Sequence, residues 1–329
     1  METNPFPTAE TPSWVPVDVV TLAVPGFILL VILEMIIVRL SKRGAYNAKD
    51  SAASLFMGFG SSIAGILTGG LYLVAAYWVH KHALFDIGWT WWALVLCFLG
   101  EDLAYYWFHR IAHERRVWWA SHVVHHSSQH YNLSTALRQT WTGNLSLSFA
   151  TKLPLFYLGF PVEMVLFFTG VSLVYQFWIH TETIGRMGPF EWLFNTPSHH
   201  RVHHATNPRY LDANYAGVLI IWDRMFGTFI PEVDHDRPRY GIVSNLGTFN
   251  PIRIALHEWI GIARDLRGAK SIGQWFGYIF GPPGWTPDGS RKTSKMLKAE
   301  WRAESEGPAP QRGVGYRSAT ITSRGSHPS

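Results

Sequence analysis

The chain has 329 residues, with 28 lysine and arginine against 23 aspartate and glutamate for a formal charge of +5, and its 47% hydrophobic content sits beside only 16% charge. So small a basic excess, placed where membrane loops carry basic residues, gives no argument for a nucleic-acid partner. A single cysteine, Cys97, excludes a disulfide framework, a thiolate zinc site and a cysteine-ligated iron–sulfur cluster.

In chain order, Val19 to Val38 is an apolar run with one charge, Glu34, and Phe56 to Val79 is a second run with none. Each is long enough to cross a bilayer as a helix. The acidic N-terminus ahead of the first run lacks the basic region of a secretory signal, so that span is expected to be retained. Gly88 to Phe108 has the length of a third span but carries Glu101 and Asp102 toward its end. Ionisable groups in an apolar helix usually face a functional interior. Asp102 lies two turns before His109 on nearly the same face, placed to accept from a ligand imidazole N–H or an ordered water; a carboxylate at the headgroup boundary is the plainer reading.

The fourth apolar stretch, Asn144 to Ile179, is too long for one crossing and is broken by Lys152, Pro154 and the turn signal Gly159-Phe160-Pro161. A membrane hairpin over 144–179 keeps His180 and the later histidines on the same side as the earlier ones. Arg39, Lys42, Arg43 and Lys49 follow the first span and Arg110, Arg115 and Arg116 the third, while the loop between the second and third offers only Lys81. Basic residues mark the cytoplasmic side, so the histidines are expected there. Phe249 to Phe280 has Ile252, Leu256, Trp259, Ile260 and Ala263 at helical spacing, which predicts an amphipathic helix lying on the bilayer or packed on the cytosolic domain. From Pro282 the composition turns to Gly, Pro, Ser, Lys and Arg, and a polar unstructured tail is expected over 282–329.

Eleven of the sixteen histidines fall between His109 and His204. They form three boxes, His109-x3-His113, His122-x2-His125-His126 and His200-x2-His203-His204, with His180 between. Spacings of three and four place side chains on one helix face. Eight boxed imidazoles plus His180 exceed the four ligands of a zinc ion, whereas two ions with positions open for oxygen would use most of them. Nitrogen-only ligation leaves iron, zinc, copper and nickel open. His200 rather than His199 completes the spacing of its box, and His130 stands outside any box. Glu114, directly after His113, is a candidate to ligate iron, to orient an imidazole or to pair with Arg115 or Arg116. The chain lacks the His-Glu-x-x-His string of zinc peptidases, a dinucleotide or Walker loop, and a nucleophile elbow.

Over about Asp102 to Phe229 these residues resemble the fatty acid hydroxylase/sterol desaturase superfamily of integral-membrane di-iron enzymes, whose signature is the same three boxes. The strings HHSSQHYNLSTALRQ from His125 and FNTPSHHRVHH from Phe194, with Glu114 after the first box, are most similar to the alkylglycerol monooxygenase subgroup; sterol C-5 desaturases share all three boxes. The resemblance implies an all-α fold of four to five membrane helices over residues 1–100 and the 144–179 hairpin. A cytosolic histidine-box domain within 101–235 would cap them, followed by a helical segment at 236–281. It further implies two iron ions held by His109, His113, His122, His125, His126, His180, His200, His203 and His204, with Glu114 and Asp102 serving catalysis. The implied reaction is O2-dependent hydroxylation or desaturation of a membrane lipid. For the alkylglycerol subgroup this is oxidation at the carbon beside a glyceryl ether oxygen. No His-Pro-Gly-Gly string of a fused cytochrome is present. Electrons would come from an external reduced pterin, ferredoxin or cytochrome. A membrane metal carrier or sensor is the alternative from another class.

Overall fold

The computed structural model of the chain describes residues 10–16, 18–41 and 44–306, so Lys42, Arg43 and His327 lie outside the described residues. Among these the regular structure is helical, and the only β pairing is two isolated antiparallel bridges, Phe194 with Leu219 and Ala205 with Tyr240. The all-α expectation is met.

Helices α1 (Val19–Ser41) and α2 (Ala48–His80) are long and apolar enough to cross a membrane. Asn47 starts α2, its side chain accepting from the backbone N–H of Lys49 and Asp50. Most large apolar residues of both helices point outward, as the lipid-facing side of a span would.

The expectation of four to five spans is not met; two helices qualify among the described residues. The third apolar stretch is helix α3 (Trp91–Glu114), which carries Glu101, Asp102, Arg110 and Glu114. The 144–179 stretch gives α6 (Leu153–Leu158) and α7 (Val162–Trp178), of six and seventeen residues. Both are shorter than the roughly 20 residues a crossing needs.

Much of this apolar content packs against other helices instead of lipid. Ala76 of α2, Ala93 and Cys97 of α3, Phe156 of α6 and Met164 and Val165 of α7 form one buried cluster. Between α6 and α7, Gly159 adopts φ 105°, and a Cβ built there would stand 1.9 Å from the Phe85 carbonyl oxygen. That close approach fixes the corner against the α2–α3 loop, where Leu84 N–H donates to Tyr157 O at 2.8 Å.

At its other end α3 stops at Arg115, whose extended backbone (φ −129°, ψ 123°) is also the cap of α4 (Arg116–His126). A one-residue break turns α4 back beside the end of α3. The short α5 (Leu133–Ala136) follows, capped by Asn132. After α7 come α8 (Pro197–His203) and α9 (Ile221–Met225), joined by a loop whose Val218 and Leu219 N–H groups donate to Asp102 of α3.

The chain closes with α10 (Pro251–Gly268), α11 (Ile272–Phe280) and α12 (Ser294–Glu306). Of the two readings of the amphipathic segment, packing on the protein's own core is observed for one face of α10. Its Ile254 and Ala255 pack with Val124 of α4 and Met57 of α2, while Ile252, Leu256 and Ile260 stay exposed. The unstructured tail expected from residue 282 does not hold for its described part. Residues 294–306 form α12, and Arg291 anchors the segment before it, Nη2 donating to Asp265 Oδ2 at 2.7 Å.

Candidate metal centre

Each histidine box is carried on a helix whose break or start aims it inward. The turn at Arg115 brings His109 and His113 of α3 against His122, His125 and His126 of α4. Pro197, inside the first turn of α8, sets its start so that His200, His203 and the capping His204 face the same point. His180 follows the end of α7.

The structure gathers all nine expected imidazoles into two adjoining groups. His109, His113, His122, His126 and His203 form one, and His125, His180, His200 and His204 the other; within each, the donor atoms lie within 4.8 Å of one another. Helical spacing divides the second box between the groups, with His122 and His126 on one side and His125 on the other. The groups touch through stacked rings, His126 on His204 at 4.4 Å and His200 on His203 at 5.1 Å between centroids.

The Nε2 atoms converge. His109 to His122 is 2.9 Å, His122 to His126 is 3.0 Å and His126 to His203 is 3.2 Å in the first group. In the second, His125 to His180 is 3.1 Å, His180 to His200 is 3.0 Å and His200 to His204 is 3.2 Å. With metal–nitrogen bonds of 2.0–2.1 Å, nitrogens at right angles around an ion stand about 3.0 Å apart and at tetrahedral angles about 3.4 Å. The observed separations fall on coordination edges.

The other ring nitrogen decides the tautomer. Nδ1 of His109 lies 2.7 Å from Tyr215 O, that of His180 2.7 Å from Gln176 O, that of His203 3.0 Å from Ala213 O and that of His125 3.3 Å from Arg138 O. A carbonyl oxygen only accepts, so each of these Nδ1 atoms carries the hydrogen and each Nε2 presents a lone pair. In the His125–His180 contact two bare lone pairs therefore face each other at 3.1 Å. A cation between them turns that repulsion into ligation, which is the arrangement of metal-bound histidines.

Burial agrees with this protonation. Desolvation, reinforced by neighbouring imidazoles, pushes His109, His122, His126, His200, His203 and His204 well below the usual histidine range. It does the same to His180 and brings His125 down to about 4. Neutral imidazoles are the form that binds metal.

His199 stays out of both groups: it faces Phe229, and its Nε2 is 3.9 Å from Glu191 Oε2. His130 is outside as well. Glu114 turns away from the imidazoles and accepts from Arg110 Nε at 2.9 Å, so of its three expected uses only surface pairing is observed, with Arg110 in place of Arg115 or Arg116.

Asp102 is fully buried but does not touch a histidine. Its oxygens accept from Val218 N–H at 2.8 Å, Leu219 N–H at 3.0 Å and Trp222 Nε1 at 2.9 Å. It holds the loop that supplies carbonyls to the imidazoles, and of its two expected uses direct acceptance from an imidazole N–H is not observed. The same loop is held by Asp223, which accepts from the N–H of Tyr215 and Ala216, each at 2.8 Å. Asn214, at φ 55°, bridges His199 O, Ile230 O and Ile230 N–H.

Sequence reasoning assigned no role to Asp223 or Asn214. The available signal was the polar residues Asn214 and Asp223 within twenty residues after the last box, in a stretch that is otherwise largely apolar.

Two cavities flank the centre. One of about 540 Å³ lies among α1, α2, α3 and α7, is walled by Val24, Phe27, Phe59 and Leu173, and reaches His122, His125 and His180. The other, of about 480 Å³, reaches His113, His126 and His203 and is lined by Arg116, Glu258 and Arg291. An apolar approach and a charged one thus reach different members of the same histidine cluster, His122, His125 and His180 from one cavity and His113, His126, His203 and His204 from the other.

The sequence pattern described as fatty acid hydroxylase matches residues 94–228, the span that holds every grouped histidine and the Asp102 loop. The chain belongs to the fatty acid hydroxylase superfamily. Among its relatives in this superfamily, alkylglycerol monooxygenase of Xenopus tropicalis is 41% identical over 276 residues, covering 82% of this chain and 60% of that protein. The human alkylglycerol monooxygenase is 40% identical over 277 residues, with coverage of 82% and 60%. The ornithine lipid hydroxylase OlsE of Rhizobium tropici is 31% identical over 146 residues, 44% of this chain and 43% of that protein. The chain thus spans about 60% of the length of the alkylglycerol monooxygenases it matches. No solved structure matches it.

Proposed function

We propose that this fatty acid hydroxylase superfamily member is a membrane-bound, O2-dependent oxidoreductase that hydroxylates or desaturates a C–H bond of a lipid, most like the alkylglycerol monooxygenases. Two iron ions would be held, one by His109, His113, His122, His126 and His203 and the other by His125, His180, His200 and His204. The observation that carries the reading is the facing pair of Nε2 lone pairs at 3.1 Å on His125 and His180, within two all-nitrogen groups at the end of an apolar cavity.

The metal would supply oxygen activation, which no side chain can. The residues do the rest. Carbonyls of Tyr215, Ala213, Gln176 and Arg138 fix the imidazoles, so their lone pairs need no reorientation on binding. Val24, Phe27, Phe59 and Leu173 exclude water from the approach and leave a lipid chain free to enter without crossing it. The charged cavity gives an external electron donor, a reduced pterin, ferredoxin or cytochrome, a route to His113, His126, His203 and His204. The histidines would face the cytoplasm, a reading supported by Arg39, Lys49, Arg110, Arg115 and Arg116 at that end against Lys81 at the other.

Iron-loaded protein in lipid vesicles, supplied with a reductant and a 1-O-alkylglycerol, is expected to consume O2 in step with lipid product, by oxygen electrode and mass spectrometry. Oxygen uptake without any oxidised lipid, or metal transport without oxygen uptake, would reject the reading.

A further inference from the structure

The apolar cavity does not end at the membrane helices. It shares Ser61, Tyr105, Phe108, Gly143, Ser148 and Leu173 with a second chamber of about 320 Å³. The lining moves away from the histidines on three helices together, to Tyr72 on α2, Glu101 on α3 and Thr169 on α7. His180 and Thr169 are eleven residues apart, so the chamber's end lies about 16 Å from the imidazoles at 1.5 Å per helical residue.

That end is charged. Lys152 Nζ stands 2.8 Å from Glu101 Oε1, with side chains 11% and 1% exposed, and donates to Thr169 Oγ1 at 2.7 Å. Glu101 Oε2 and the Tyr72 hydroxyl are buried without a hydrogen-bond partner among the described residues. An ion pair this deep beside apolar helices is costly and marks a functional position.

We propose that the two cavities form one tunnel, that the alkyl tail of the lipid runs through it from His122, His125 and His180, and that the Lys152–Glu101 pair sets the longest tail accepted. The inference rests on the lipid reading above. Each methylene buried along the tunnel raises affinity about fourfold. A tail longer than the chamber has to force apart the buried Lys152–Glu101 pair, and breaking such a pair lowers affinity by roughly 150-fold or more. Gain therefore turns to loss within one or two methylenes of the chamber's end. Gly65, on the α2 wall of the chamber, has nothing within 4 Å of where its Cβ would be, so a side chain there would fill the chamber without disturbing the helix.

The test has two arms. In vesicles, 1-O-alkylglycerols carrying a diazirine at the end of a long tail are expected to label residues 61–72 and 141–152 of the wild type on photolysis, and Gly65→Leu to reduce that labelling about tenfold. Labelling confined to the outer faces of α1 and α2 would overturn the proposal. In turnover, Gly65→Leu is expected to lower the long-to-short ratio of kcat/KM about tenfold across a homologous alkylglycerol series. The paired substitution Lys152→Met with Glu101→Gln, which leaves no lone buried charge, is expected to raise that ratio. A ratio unchanged in both variants would overturn the proposal. Because photolabelling needs no turnover, a wild type that labels in the chamber but oxidises no lipid counts against the proposed function alone.

Discussion

A histidine whose Nδ1 hydrogen is committed to a backbone carbonyl has only a lone pair to offer at Nε2, and this chain points such lone pairs at one another. His200 and His199 make the sharpest contrast, since they are neighbours in sequence and differ in what they face. His200→Ala is expected to reduce bound metal by about half, and His199→Ala to leave it unchanged, by elemental analysis of the purified variants. Equal loss in both would mean that the box is read in the wrong register. The imidazoles also set a pH limit on the metal-free protein. His125, lowered from 6.5 to about 4 by burial, stays neutral in the fold while its unfolded counterpart takes up a proton. The unfolded state then binds more protons across that interval, so stability is full above about pH 6.5 and falls as pH drops toward 4. The other lowered histidines push the same way. Denaturant midpoints of metal-free protein should decline across this window, and a flat profile would show the imidazoles to be solvated.

Among the elements, α1 and α2 were legible because each apolar run is long enough for a crossing and its large side chains stay outward-facing in the fold. The third and fourth apolar stretches misled because residues such as Cys97, Phe156 and Met164 are apolar for packing against each other, and composition does not distinguish a helix neighbour from lipid. Helix α12 was hidden behind the Gly281-Pro282-Pro283-Gly284 turn and the Arg291-Lys292 pair of the segment before it. The one-residue break at Arg115 has no strong sequence signal, yet it is what folds the first box onto the second. At Gly159 the left-handed backbone and the contact with Phe85 leave no room for a side chain. Gly159→Ala is expected to destabilise the protein by at least about 2 kcal/mol, combining left-handed strain with displacement of the corner. A thermal melt within a degree of wild type would contradict that.

For the molecule as a whole, the boxes and His180 named the nine imidazoles, while the division into five and four required the fold. Spacing alone groups residues of one helix, and here His122, His125 and His126 share a helix but split between groups according to which of α3, α7 and α8 they meet. Asp102 was legible as a buried carboxylate but not in its contacts. Its partners Val218, Leu219 and Trp222 lie more than a hundred residues away. The account depends on two separate metal positions, and metal content per chain measures this most directly. Iron-loaded wild type is expected to hold about two ions, and His180→Ala and His109→Ala each about one, because the two residues belong to different groups. Wild type holding no tightly bound metal, or both variants holding as much as wild type, would contradict it.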